Sequence, residues 1–138
     1  MKTVIALFCF LTLGAIATAA EKPAANARAE MEARSAGIYT DSMNASNQAS
    51  RHALVQVAAG KPEYASVAAA CADCAGMAGM ASTLTARGSK MAGHAREALA
   101  KCCDMTVAEC EKMNDPALTP CMEACKKAAK DCRDMMSN

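Results

Sequence analysis

Residues 100–136 read AKCCDMTVAECEKMNDPALTPCMEACKKAAKDCRDMM, and six cysteines fall in this stretch, at 102, 103, 110, 121, 125 and 132. Steps of four and seven place side chains on one face of a helix. Leu118, Cys121, Cys125, Ala128, Cys132 and Met135 follow the alternating three-four step of an a/d seam. Asn114-Asp115-Pro116 interrupts the pattern, and Thr119-Pro120 reads as the N-cap and first residue of a new helix. The stretch is therefore a helical hairpin whose inward face carries sulfur where leucine is usual.

Working back from this hairpin, the same punctuation recurs. A helix over about 90–113 carries Met91, His94, Leu99, Cys102, Cys103, Met105 and Cys110, and Gly88-Ser89 form its boundary with the helix before it. That earlier helix, about 63–86, carries Val67, Cys71, Cys74, Met77 and Met80. Gly60 suits the residue just past a helix and Pro62 the first turn of the next. A first bundle helix is expected after the Asp41-Ser42 cap signal, running to about Ala59 and including Met43 and His52. Ala, Met, Glu and Lys dominate, and runs of β-branched or aromatic residues are missing. The fold expected is all-α: an antiparallel four-helix bundle over 42–138, preceded by an N-terminal arm at 20–41 that could hold a short extra helix ending at Gly37.

The first 19 residues form a separate segment. Lys2 precedes the apolar run Val4–Leu13, and Ala17-Thr18-Ala19 fits an A-x-A cleavage site, so residues 1 to about 19 are expected to be a Sec-type signal peptide. The mature protein is then expected in the periplasm or outside the cell, with no membrane span after cleavage. Removing Lys2 takes the formal charge from +1 to about zero, which gives no pull toward nucleic acid or anionic lipid.

After residue 19 the chain holds four Leu, four Val, one Ile and two Tyr, against ten Met and eight Cys. At about 25 cal/mol per Å² of apolar surface buried, this is a thin aliphatic core, and disulfides or bound metal are the two devices that would support it. Antiparallel level-matching pairs Cys74 with Cys102, Cys71 with Met105, Cys103 with Cys132 and Cys110 with Cys125, leaving Cys71 and Cys121 without thiol partners. Two chemistries fit. Soft thiolates and thioethers select Cu(I), and helix-face pairs such as Cys71/Cys74 and Cys121/Cys125 suit it better than a zinc tetrahedron built on turns. An exported chain with an even number of cysteines is equally a disulfide protein by default, here a doubly stapled hairpin that would bind a partner without metal.

Enzymatic readings are weak. No cysteine lies near a His with an acidic orienter, no phosphate loop appears, and the C-x-x-C at 71–74 lacks a βαβ context. His52 and His94 read on residue type as polar-face histidines, and Asn44-Ala45-Ser46 is a sequon that matters only in a eukaryotic secretory route.

The quoted stretch resembles the C-terminal helix pair of the exported four-helix-bundle copper storage proteins, with Cys103, Cys110, Cys121, Cys125 and Cys132 in the family's register. The Ser-Arg-His-Ala-Leu run around His52 is similar to that family's first helix. The resemblance implies Cu(I) as the bound species, copper ions as the partner, a homo-oligomer as allowed, and an unidentified protein that donates or accepts the metal. It implies Cys71, Cys74, Cys102, Cys103, Cys110, Cys121, Cys125 and Cys132 as ligands. Met105 and His52 are weaker candidates, and Met43, Met80, Met91 and His94 would mark the mouth of the bundle. Where the family would carry further cysteines this chain has Ala49, Ala53, Thr106, Leu118 and Ala128, which implies a reduced capacity.

Overall fold

The computed structural model describes residues 17–137, with side chains from Pro23 onward; Cys9 and residues 1–16 of the expected signal peptide lie outside the described residues. Four helices follow in order: α1 (Ala17–Ala58), α2 (Ala65–Ala86), α3 (Ala92–Met113) and α4 (Thr119–Ser137). Single 3-10 turns, Pro62–Tyr64 and Pro116–Leu118, lead into α2 and α4, and no strand occurs among the described residues.

The chain divides into two compact units, residues 1–31 and 32–138. In the first unit the described residues are helical and exposed from Pro23 to Met31. The second unit is the bundle, in which α3 packs on both α2 and α4. From α1, Ser50 Oγ donates to the Ala68 carbonyl of α2 at 3.0 Å, and Thr40 and Ser82 hydroxyls meet at 2.8 Å.

The helix ends follow from single residues. Gly60 has φ 86°, the left-handed conformation that closes α1, and Asn114 does the same after α3 at φ 48°. Asp115 then caps the 3-10 turn by accepting from the Ala117 N–H at 2.9 Å. That turn corrects one sequence expectation: Asp115, not Thr119, makes the cap, and Thr119 is already helical. Gly37 likewise does not end a helix, since α1 runs through it. Its propensity cost of about 1 kcal/mol is outweighed because Ser35, Ala36, Ile38 and Tyr39 around it are buried in the bundle.

The core is as poor in aliphatics as the composition implies. Its bulky, fully buried side chains are Tyr39, Leu99, Leu118 and Val67, and cysteine and alanine fill most of the rest. Small residues allow close approach: Gly79 lets the Met43 Sδ sit 3.0 Å from where a Cβ would be. Pro62–Ala86 is long and apolar enough to cross a membrane by length and composition, yet its apolarity is largely alanine. Its inward face, with Val67, Cys71, Cys74 and Ala78, is buried in the bundle.

Candidate metal centre

Three helices bring sulfur into the interior. Cys71 and Cys74 are one turn apart on α2, Cys103 and Cys110 two turns apart on α3, and Cys121, Cys125 and Cys132 follow steps of four and seven on α4. All seven are at most 1 % exposed. They are not spread evenly. Cys71, Cys110 and Cys121 form one trio, and Cys74, Cys103 and Cys125 a second, with the sulfurs of each within 4.8 Å of one another. In the first trio the Cys71 sulfur is 3.9 Å from Cys110 and 4.0 Å from Cys121. In the second, Cys74 is 3.7 Å from Cys103 and 3.6 Å from Cys125.

Helix α1 has no thiol here but completes the wall. The Ser46 hydroxyl lies 3.6 Å from the Cys121 sulfur and 3.7 Å from Cys125, and the Ser42 hydroxyl lies 3.8 Å from Cys125. These serines were not singled out from sequence as facing sulfur. The signal for them is the i, i+4 step of Ser42, Ser46 and Ser50 along a stretch of α1 whose other buried residues are Ala49 and Ala53.

The thiols polarise one another. Hydrogen bonds from Cys121 and then Cys71 hold the Cys110 thiol well below its ordinary range, and Cys103 does the same for Cys125. Cys71 and Cys103 are pushed far up, since their thiols act as donors to these neighbours and are buried. Within each trio the thiols thus share protons unequally, with Cys71 or Cys103 acting as a donor to its neighbours.

The level-matching needs two corrections. Cys103 meets Cys74, whereas Cys102 is only half-buried, its thiol pushed up to about 12 by partial burial. Adjacent helix positions differ by about 100°, so only one of the pair can share the stripe of Leu99, Thr106 and Cys110. On α4, Cys103 meets Cys125 rather than Cys132, and Cys110 belongs with Cys121 rather than Cys125. The cause is the 3-10 turn: the chain reverses at Asn114-Asp115, and Pro116–Leu118 already climbs along α4 at about 2 Å per residue. Cys71 and Cys121, expected to lack partners, are thereby united.

The remaining candidates lie apart. Cys132 is buried outside both trios, near Tyr39, and its thiol is pushed up to about 11 by burial. Met105 is 67 % exposed, so it does not share the interior with Cys71, and Met80, Met91 and His94 are exposed as well. His52 is engaged elsewhere: its Nε2 is 2.7 Å from Asp115 Oδ2, and its ring stands edge-on to Tyr64.

The eight described cysteines are free thiols, and six of them stand in trios. A family model described as copper storage protein matches residues 40–137. The chain belongs to the copper storage protein family. No curated protein and no solved structure is matched. The family match spans the cysteine-bearing helices and the part of α1 that carries Ser42 and Ser46. All five positions at which the family resemblance would place further cysteines, Ala49, Ala53, Thr106, Leu118 and Ala128, are buried, so this copper storage chain keeps the inward register while losing the sulfur.

Proposed function

We propose that the protein binds and stores Cu(I) on the thiolates of its bundle interior, with Cys71, Cys110 and Cys121 as one binding set and Cys74, Cys103 and Cys125 as the other. Cys132 and Cys102 extend the sulfur outside the trios, and Met43 lies half-buried against the core. The observation that carries the reading is the pair of buried thiol trios.

Their dimensions suit the ion. With a metal–sulfur bond of about 2.3 Å, three sulfurs around a planar centre stand about 4.0 Å apart. The sulfurs of Cys71 and Cys74 stand 3.6 to 4.0 Å from the other two members of their trios, close to that value before any metal arrives, and the third edge of each trio is within 4.8 Å. Sulfur-only sets select the soft monovalent ion over hard cations. Burial away from water protects Cu(I), and loading expels the thiol protons that the apo interior retains. A zinc tetrahedron would require a fourth ligand that neither trio supplies.

Storage, with no chemical conversion of the metal, fits a chain whose histidines lie outside the trios. Export through the segment at 1–19 places the activity in the periplasm or outside the cell, where a second protein would donate or withdraw copper. The test is titration of the purified protein with Cu(I) against a competing chelator, with a thiol count under non-reducing conditions. Tight uptake of several equivalents with the thiols free is the expected result. A thiol count near zero in protein taken from its own compartment would overturn the proposal.

A further inference from the structure

The two ends of the sulfur column differ. At the α3–α4 turn a cavity of about 240 Å³ opens to the surface, lined by Cys110, Glu111, Asn114, Asp115, Thr119 and Met122. Cys110 belongs both to this lining and to the first trio, so it joins the interior to the outside. The cavity offers a monovalent soft cation a graded path. Two carboxylates stand at its rim, the half-buried Met122 supplies a thioether, and Cys110 supplies a thiol that belongs to the first trio. Lys126 offsets Glu111 at 3.0 Å, while Asp115 is held by His52 and Tyr64.

The opposite end, toward Gly88, is closed. Tyr39, Leu99 and Cys132 are fully buried across it. Arg96 is 8 % exposed there, and its Nε and Nη2 have no hydrogen-bond partner among the described residues. The Asp131 carboxylate acts on the same Cys132 thiol as Arg96, so the two charges offset one another and the closure of this end rests on its packing. Met80, Met91 and His94, which the family resemblance places at a mouth, are exposed beyond this plug and belong to neither trio.

We propose that copper passes into and out of the interior at the α3–α4 turn, through the cavity at Cys110, and that the Tyr39–Arg96 end is sealed. The proposal rests on the storage reading for its cargo, but not for its geometry. It assigns an order: the Cys71/Cys110/Cys121 trio exchanges metal with the outside, the Cys74/Cys103/Cys125 trio fills behind it, and Cys132 lies at the dead end.

The test compares Thr119→Trp, which fills the cavity from an exposed position, with Lys90→Trp at the opposite turn. Uptake is followed from a Cu(I)–bicinchoninate complex and release into excess chelator. Thr119→Trp should slow both rates about tenfold or more, equivalent to about 1.4 kcal/mol of barrier, with the final copper content unchanged. Lys90→Trp should stay within about twofold of the parent protein. Glu111→Lys provides a second variant that leaves the cavity open; with Cu(I) supplied as its cationic acetonitrile complex, it should slow uptake and weaken its dependence on ionic strength. Rates unchanged in Thr119→Trp, or slowed in Lys90→Trp, overturn the portal while leaving storage standing. A parent protein that takes up no copper defeats the storage reading instead. The portal is then judged by methylmercury labelling of the parent protein under native conditions: Cys110 modified before Cys132 supports it, and Cys132 modified first overturns it.

Discussion

The sulfur of Cys121 lies 4.0 Å from that of Cys125, one helical turn along α4, and this single step joins the two thiol trios into one interior. Ser46 sits over the junction and contacts both sulfurs. A metal held in one trio is therefore within a shared thiolate of the other, and removing either cysteine breaks the continuity as well as a binding set. Cys121→Ala and Cys125→Ala are each expected to lower Cu(I) content by about one or two equivalents, while Cys102→Ala leaves it nearly unchanged. Chelator competition with metal analysis reads the difference. Equal losses from all three variants would count against the division into trios.

The stability of the same variants separates metal binding from stapling. Loss of a disulfide costs about 2 to 5 kcal/mol, whereas trimming one buried thiol to a methyl group removes about one methylene's worth of burial, near 1 kcal/mol. Denaturant unfolding of metal-free Cys125→Ala should show the smaller value, with an unchanged m-value.

Restoring sulfur to α1 should enlarge the store. Ser46→Cys changes an oxygen to a sulfur at a buried position already 3.6 and 3.7 Å from two thiols, with little change of shape. The expected gain is about one equivalent of Cu(I), at the cost of at most about 1 kcal/mol of apo stability from the larger atom. Ser50→Cys, whose hydroxyl is instead spent on the Ala68 carbonyl, should give no such gain.

The helices were legible because single residues mark their ends: Gly60 before Pro62, Gly88, and Asn114 before Pro116. The α4 seam was legible as far as Cys132, since Leu118, Cys121, Cys125, Ala128 and Cys132 are all buried, whereas its last member, Met135, is only half-buried. Which trio each cysteine joins was not. That depends on where the chain reverses, and the 3-10 turn at Pro116–Leu118 moves the reversal by a couple of residues, enough to exchange Cys132 for Cys125 opposite Cys103. The choice between Cys102 and Cys103 turns on helix rotation, which adjacent thiols in a sequence do not encode. The bundle portion of α1 begins earlier than its cap signal implied because tertiary burial of Ile38 and Tyr39 outweighs a glycine's propensity.

The α3–α4 turn depends on one carboxylate. Asp115 accepts from the Ala117 N–H, from the Tyr64 hydroxyl at 3.0 Å, and pairs with His52 at 2.7 Å. The His52 ring nitrogen, and then the Ala117 N–H, hold its pKa below the ordinary 3.8. The group's stabilisation is therefore present above the usual carboxylate range and is lost as pH falls through the depressed folded value. Asp115→Ala should cost about 1 to 2 kcal/mol at neutral pH by removing the cap and stranding two partners, and Asp115→Asn less, because its oxygen can still accept from Ala117. Thermal unfolding at pH 7 and pH 3 is the measurement, with the gap between variant and parent narrowing in acid.

At alkaline pH the metal-free and loaded proteins should part company. In the apo interior Cys132 is raised by burial from 9.0 to about 11, and burial raises Tyr39 beside it. For a raised thiol the folded state keeps its proton when the unfolded chain has lost it, so the stabilisation is full below about pH 9 and declines as pH climbs through the folded value. For Cys132 that amounts to about 2 to 3 kcal/mol between pH 9 and 11, with Tyr39 adding in the same direction above pH 10. Metal-bound thiolates have no proton to lose in this range. The unfolded chain's thiols still hold protons below about pH 9, so the loaded trios contribute stability that rises with pH up to that value and is level above it, and copper shifts the folding equilibrium by mass action besides. Midpoints of thermal unfolding measured from pH 8 to 11 should fall for the apo protein and for the loaded protein alike at Cys132 if that thiol stays metal-free. A loaded protein whose decline above pH 9 matches that of loaded Cys132→Ala would show that copper reaches Cys132 at the closed end of the bundle. Cys132→Ala should remove only the Cys132 share of the apo decline, since Cys71, Cys74, Cys102 and Cys103 are raised as well, while leaving the two trios able to bind.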